Sequence, residues 1–415
     1  MNEVETKNDR NSQVFAFRTP ILVVAETLTA LTCYKDGYIM VNKSFSKPKE
    51  VLLLGGGHSN LQVLHQLARI DPSLFNLTLI SDVLCAPYSG MIPSYLAGVY
   101  SEAELHFDLQ KICDRFSFKF IEDKVTFIDS LRNQIHTATG KIIGYDICSI
   151  NLGILPTLIP ATQGPQKDII YLKPISKLIE RWKQTSQLAG ASANGLSFTV
   201  IGGGAGAFEV AIACRRKFRS LDNKIRMIAG KGGLLPEYNR TAQKYARQSL
   251  KDLNIDLLEG VRVEHIESTS LLLDDTRHLD KQICFVGTSA QAPEVFRHSG
   301  LPVSKDGFVT VDENLLVSGL KNIFAAGDCC FFLPRPLPKA GVFAVRQGPV
   351  LAANITALIL NQSALTKYFP QSPFLTILVS GDNKAIAAYK NFVFQGRWAW
   401  RLKDYIDRKF MKRFQ

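Results

Sequence analysis

The chain has 415 residues, 46% hydrophobic and 21% charged, with a formal net charge of +12. That length and apolar share supply the cores of two or three domains and exclude a disordered chain. The basic balance suits nucleic acid, an anionic membrane surface or a phosphorylated ligand, or else serves solubility alone.

Residues 1–48 open the chain without a clear pattern. Their most apolar stretch, PILVVAETLTALTCY from Pro20, is interrupted by Glu26. It is shorter than the roughly 18 residues of a membrane span and lacks the flanks of a secretory signal. An extension of unassigned structure is expected there, or a segment upstream of a start at Met40. The eight cysteines are Cys33, Cys85, Cys113, Cys148, Cys214, Cys284, Cys329 and Cys330. None forms a C-x-x-C or C-x4-C pair, and no histidines stand as H-x3-H. Buried thiols in a reducing compartment are therefore expected, with no disulfide framework and no metal site.

From Glu50, EVLLL reads as a buried strand stopped by glycine. SNLQVLHQLARI then places Leu61, Leu64, Leu67 and Ala68 at helical spacing. A strand, a glycine turn and a helix make the first half of a dinucleotide-binding unit. The turn must let the backbone approach a pyrophosphate, and the helix N-terminus offers it free N–H groups. Gly55, Gly57, His58 and Ser59 are the candidate phosphate contacts. Asn60 stands where the pattern has its third glycine. NLTLIS from Asn76 is the next strand; Ser81 takes the place of a ribose-binding acid, and Asp82 follows it.

The device recurs from Phe198 as FTVIGGGAGAFEVAIA. Gly202, Gly204 and Ala207 fit the pattern, since alanine is accepted third. Glu209 lies near the start of the following helix. It either faces a nicotinamide or enjoys the helix dipole. The strand KIRMIA has no acid after it, and Lys231 stands close by. That combination favours a 2′-phosphate, hence NADP over NAD, unless Lys231 is a solvated surface cation. Two such units suggest two dinucleotides and hydride transfer between them.

NIFAAGD, within Gly307–Phe332, ends a short strand in Gly327 and Asp328. After two glycine units in this order, it resembles the second flavin fingerprint of the pyridine nucleotide-disulfide oxidoreductase superfamily. The resemblance implies an α/β fold of two Rossmann-like domains, glutathione-reductase-like, plus a small C-terminal segment. It implies an FAD domain at 49–160 and 290–372, interrupted by a nicotinamide domain at 161–289. Asp328 would bind the ribityl chain. The helix AVRQGPVLAANITALIL would aim its N-terminus, near Gly341 and Val342, at the flavin ring. Gly153 and Gly287 would close the linker strands, His58 would lie near the FAD phosphates, and Lys173 of YLKPI would lie between the domains.

The superfamily's redox C-x4-C is missing; SDVLCAPYSGMIP offers Cys85 alone. This resembles the type II NADH dehydrogenase branch, in which flavin passes electrons directly to an acceptor. The blocks GGGHSN, PYSGMIPSYLAGVYS, PKAGVFAVRQGPVLAANI and GRWAWRLKDYIDRKFMKRF resemble a narrower group, the flavoprotein domain fused to some selenide, water dikinases. No kinase segment follows within the 415 residues, so a free-standing flavoprotein and a split partner of a selenophosphate synthetase are both expected outcomes.

At 373–415, KAIAAYKNFVFQG suggests a hairpin and the basic run from Arg397 an amphipathic helix. It is expected either to settle on an anionic membrane from the cytoplasmic side, near a quinone entrance, or to pack on its own domain. No nucleic-acid recognition motif accompanies it. The function expected is an FAD-dependent NAD(P)H oxidoreductase with a quinone-like or other small acceptor. Glu209 and Lys173 are the catalytic candidates. The competing expectation is a flavin-binding partner without turnover.

Overall fold

The short apolar runs of the sequence become two five-stranded parallel sheets. The structure, a computed structural model, describes Cys33–Lys35, Tyr38–Met40 and residues 47–162, 167–191, 196–219 and 223–414. The first unit, Met1–Phe45, contributes one antiparallel pair, Cys33–Lys35 with Tyr38–Met40. The rest of the expected 1–48 extension lies outside the described residues up to position 47.

In the second unit, Ser46–Gln415, the first sheet has the order Ile323–Ala325, Ile147–Ile150, Lys49–Leu54, Phe75–Ser81, Lys119–Glu122. Its strands are all parallel, with Leu54 level with Ile80 and Ile150, and Ile150 level with Ala325. Val51 to Leu54 are buried, as a strand covered on both faces requires. The second sheet runs Ile169–Tyr171, Ile283–Val286, Ser197–Ile201, Lys224–Ala229, Asp256–Glu259, again all parallel.

The repeat is longer than the two glycine motifs. In each sheet the strand that pairs with the glycine-turn strand (Ile147–Ile150 and Ile283–Val286) is preceded by a three-stranded antiparallel meander: Val125–Asp129, Gln134–Thr137 and Ile142–Gly144 in the first, Val263–Ile266, Ser270–Leu273 and His278–Asp280 in the second. The backbone bonds at the strand ends also repeat. Gly55 N–H donates to Ile80 and Gly202 N–H to Ile228; Asn151 donates to Leu54 and Gly287 to Ile201. The connecting strands Leu155–Pro156 and Ala290–Gln291 pair antiparallel between the two halves.

The helix after the first turn is His58–Leu67. It packs along Gly341–Ile359, which starts three residues earlier than AVRQGP suggested and so includes Gly341 and Val342. That helix is long and apolar enough to cross a membrane by length and composition, a property the sequence scan overlooked; much of it is buried inside the fold. Ser59 Oγ donates to Ala344 O at 2.7 Å and Gln62 Nε2 to Val345 O at 2.5 Å. A Cβ on Gly348 would collide with the Gln62 side chain, so this glycine is what lets the helices close.

Asn60 resolves its own anomaly. Its carboxamide nitrogen donates to Leu54 O (3.2 Å) and Gly55 O (2.9 Å), and its oxygen accepts from Ser149 Oγ at 2.7 Å. Hydrogen bonds do here what the missing third glycine does by close packing. Asn60→Ala strands Ser149 Oγ in the interior and takes the side-chain donor from Gly55 O, while Leu54 O keeps only its bond from Asn151 N. It should cost about 1–3 kcal/mol, read as a lowered midpoint in urea with an unchanged slope; a loss near zero would show the network to be idle.

Candidate active site

The aligned strand ends of the first sheet put its glycine motifs along one edge. Beyond Leu54 come Gly55–Gly57, beyond Ser81 comes exposed Asp82, beyond Ile150 come Asn151–Gly153, and beyond Ala325 come Gly327 and Asp328. This is the crevice at the carboxyl ends of parallel strands, where open α/β sheets bind ligands.

Gly55 has φ +89°, a left-handed conformation, and its Cβ would meet Asn151 O at 2.5 Å. Among the described residues, neither Gly56 nor Gly57 has an acceptor for its backbone N–H. These donors precede the His58–Leu67 helix, whose N-cap, Gly57, makes no side-chain cap bond. Free N–H groups at a positive dipole end suit a pyrophosphate. The expected reason for Gly57 needs correction, however. A Cβ there would collide with the Asn151 carboxamide oxygen before it met any ligand.

Asn151 is the residue the sequence reading missed. Its Oδ1 accepts from Ser59 N at 3.2 Å and Asn60 N at 3.4 Å, and its Nδ2 donates to Ala326 O at 2.6 Å. The only signal was its place two residues before Gly153, at the end of a linker strand. Gly327, at φ +78°, donates to Gln347 Oε1 at 2.6 Å; its Cβ would lie 2.6 Å from Asn151 Nδ2. Gly153, at φ +73°, faces open space. Asp328 lines a cavity with Gly327, Cys330, Phe343 and Gln347.

Gly341, first residue of its helix, approaches His58 and Ser89; its Cβ would lie 3.1 Å from Ser89 Oγ. His58 Nε2 meets Ser89 Oγ at 2.9 Å. Burial lowers the His58 pKa to about 4, and the Lys173 charge acts in the same direction. His58 is thus neutral at physiological pH. The fold therefore joins His58, Ser59, Asn151, Gly327, Asp328, Gly341 and Val342 in one crevice, with Lys173 in electrostatic reach from the end of the second sheet. Free amides, a carboxylate and a helix N-terminus fit the phosphates, ribityl chain and ring of FAD.

In the second sheet Gly202 has φ +132°, and a Cβ would collide with Gly287 O. Gly287 in turn packs near Ala207 and Leu172. Gly204 faces open space as the N-cap of helix Ala205–Lys217. An open cradle and an uncapped helix suit an exchangeable dinucleotide. Lys231 is mostly exposed and pairs with Asp274 at 3.4 Å.

Glu209 lies on the Ala205–Lys217 helix but turns toward the C-terminal segment. Its Oε1 accepts from Val379 N at 2.8 Å. Burial raises its pKa to about 7, opposed by the Lys403 charge and the Val379 N–H. Lys403 donates to Gly90 O at 2.6 Å and to Asp407 at 2.7 Å. Burial first, and Asp407 next, hold the Tyr88 phenol in its neutral form.

The expected hairpin pairs Lys384–Tyr389 with Phe392–Gly396, and the helix spans Arg397–Met411. Thr376–Gly381 adds a third strand that the sequence did not announce. Phe410, Met411 and Phe414 are buried, and Phe410 stacks on Tyr88 at 4.9 Å. One face of the helix thus packs on the first-sheet half of the molecule. Among the cysteines with described burial, Cys85 is exposed and the other six are buried.

Such a pair of cradles in one chain defines a two-dinucleotide flavoprotein oxidoreductase, working with FAD and a pyridine nucleotide. The sequence profile described as pyridine nucleotide-disulphide oxidoreductase matches residues 49–348, and the chain belongs to that family. The chain is 23% identical over 401 residues to a sulfide-quinone reductase of Aquifex aeolicus, covering 88% of this chain and 90% of that one. It is 23% identical over 385 residues to a type II NADH:quinone oxidoreductase of Staphylococcus aureus, covering 86% and 94%. Among solved structures, the Aquifex aeolicus sulfide:quinone oxidoreductase superposes with TM-score 0.72 at 22% identity, covering 88% and 91%. The NDH2 of Plasmodium falciparum in complex with NADH gives 0.73 at 15%, covering 88% and 98%.

Gly57→Val forces apart Asn151 and the first helix turn. The purified variant should lose its yellow colour, with less than about a tenth of the wild-type FAD content, since the clash exceeds what a packed site absorbs. A full complement of FAD, measured by absorbance after gel filtration, would overturn the assignment of this cradle.

Proposed function

We propose that the chain is an NAD(P)H:acceptor oxidoreductase that passes electrons to a quinone-like molecule without a redox disulfide. The observation that carries this reading is the repeated cradle: one copy joined to Gly327–Asp328 through Asn151, the other left open at Gly204. In this reading 49–160 with 290–372 forms the flavin domain and 161–289 the nicotinamide domain. When bound, FAD supplies two-electron chemistry between the two substrates.

The chain's own groups bind, orient and manage protons. Gly56 and Gly57 offer N–H donors to the FAD pyrophosphate, and Asp328 accepts from the ribityl chain. Gly204 and the helix behind it cradle the coenzyme phosphates. No carboxylate follows Ala229 in the chain and Gly230 has open space, so a 2′-phosphate placed there would take Lys231 from its partner Asp274. This supports NADPH as a coenzyme at least as good as NADH. Thiol relay has little support, because burial and Asp108 hold the exposed Cys85 above the usual thiol range.

Glu209 supports the acceptor half of the cycle. Its carboxyl retains a proton up to about pH 7, beside the Lys403–Asp407 pair. A group in that state can donate a proton to a reduced quinone. Stopped-flow mixing with NADPH and with NADH should bleach the yellow protein; an oxidised spectrum that persists with both would favour a flavin-binding partner without turnover. Reoxidation by a soluble quinone should slow as pH rises through about 7, and Glu209→Gln should slow it about tenfold or more, within the range of general acid catalysis, and remove the inflection. Retained pH dependence in that variant would assign the proton elsewhere.

The C-terminal segment supports peripheral membrane contact. Phe392 is 64% exposed, Phe394 52% and Trp398 51%, and Phe394 and Trp398 rings touch at 5.7 Å. Arg397, Arg401, Lys409 and Lys412 are exposed on the adjoining helix. Each cation near an anionic surface adds about 1 kcal/mol, and the aromatics enter the headgroup region. Deleting the helix would uncover Tyr88 and remove the Lys403–Asp407 pair, so truncation is a poor test. The double variant Phe392→Ser/Trp398→Ser should instead lose most cosedimentation with anionic liposomes at low salt, while its FAD content and thermal midpoint stay unchanged. Undiminished binding would place the contact on another face.

A further inference from the structure

Tyr368 is 4% exposed, yet its hydroxyl has no hydrogen-bond partner among the described residues. Nη1 of Arg346 is likewise shut off from solvent and unpartnered. The two share one neighbourhood: the Phe332 ring beside Tyr368 lines a cavity with Phe343 and Gln347, on the helix turn that carries Arg346. Burial raises the Tyr368 pKa to about 12, against the pull of the Arg346 and Arg335 charges. Glu313, whose backbone carbonyl accepts from Tyr368 N at 2.6 Å, pairs its carboxylate with Lys367 instead. Among the described residues no carboxylate forms an ion pair with Arg346 or Arg335.

Neither group can readily turn away. Arg346 projects from the long Gly341–Ile359 helix. On the same helix, buried Asn354 donates to Thr366 O at 2.9 Å and Asn314 O at 2.7 Å, and accepts from Thr366 N at 2.7 Å. Those three bonds clamp the segment that carries Tyr368. The Tyr368 ring stands edge-on to Phe332 at 5.5 Å, and Arg335 Nη2 donates to Pro370 O at 3.3 Å.

Shielded donors without an acceptor are costly, and one on a cationic side chain more so. Arg346 as a whole is half-buried and Arg335 exposed, so an anion can reach the shielded pair of donors from solvent. An anion with two adjacent oxygens satisfies both, because the guanidinium fork matches such a pair and the phenol donates from the side. We propose that Arg346, Tyr368 and Arg335 form a binding site for a small oxyanion of the carboxylate or phosphate class. None of the three belongs to the glycine cradles or to the proposed electron path. Phe332, which backs Tyr368, also lines the cavity beside Asp328, so an anion held here would adjoin the wall of the flavin crevice.

The test uses the full-length, FAD-loaded protein and isothermal titration with sodium phosphate and, separately, sodium acetate, against sodium chloride of equal ionic strength. Saturable binding of at least one probe is expected in the wild type. Arg346→Met should weaken it about tenfold or more, the scale of a charged hydrogen bond, and Tyr368→Phe about threefold, with FAD content unchanged in both. The phosphate-binding turn at Gly204 offers a second place for phosphate, so dependence on the two named side chains identifies the site. No saturable binding by either probe overturns the proposal, as does equal affinity in both variants. Should Arg346→Met fail to fold, Arg346→Lys, which keeps the charge and loses the fork, decides together with Tyr368→Phe.

Discussion

One buried carboxamide sets the geometry of the flavin crevice. Asn151 accepts from the first turn of helix His58–Leu67 and donates to the carbonyl before Gly327. Its own N–H completes the strand-end bond to Leu54. Three segments far apart in sequence are held by one side chain. The glycines at 55, 57 and 327 follow from it, because any Cβ there would occupy the space of Asn151 atoms. An amide can do this at little cost, since it offers an acceptor and a donor on opposite sides and carries no charge to desolvate.

The second cradle is built on the same backbone bonds without that lock. Gly287 stands where Asn151 stands, Ala207 where Asn60 stands, and Gly204 faces open space. One copy is sealed by side-chain hydrogen bonds, and the other is kept small and accessible. The contrast fits a group that stays through turnover in the first and a coenzyme that must leave after each cycle in the second. Duplication supplied one frame, and a few polar side chains separated its two uses.

The C-terminal helix faces two ways. Its inner side buries Phe410, Met411 and Phe414 and places Lys403 between Gly90 O and Asp407, within electrostatic reach of Glu209. Its outer side keeps cations and Trp398 in solvent. Packing on the protein and contact with a membrane were competing readings of the sequence. The fold makes them compatible, because 3.6 residues per turn let one helix offer separate faces to each.

The sequence by itself determined the parts whose physics is local. Apolar runs ending in glycine gave both central strands, and helical spacing gave both following helices. The alternation in KAIAAYKNFVFQG gave the hairpin, and Arg397 marked the helix start to the residue. The Gly-Asp signal after a strand placed Asp328 in the crevice. What the tertiary structure alone decided depends on groups that meet from distant positions. Asn151 and Asn60 look like departures until Ala326, Leu54 and Ser149 are beside them. Glu209 sits near a helix start, as expected, yet its partners are Val379 and Lys403, far along the chain. Tyr368 and Arg346 carry no motif at all. A strand or turn is specified by the order of neighbouring residues, whereas a buried polar group takes its meaning from whichever donors, acceptors and charges the fold carries to it.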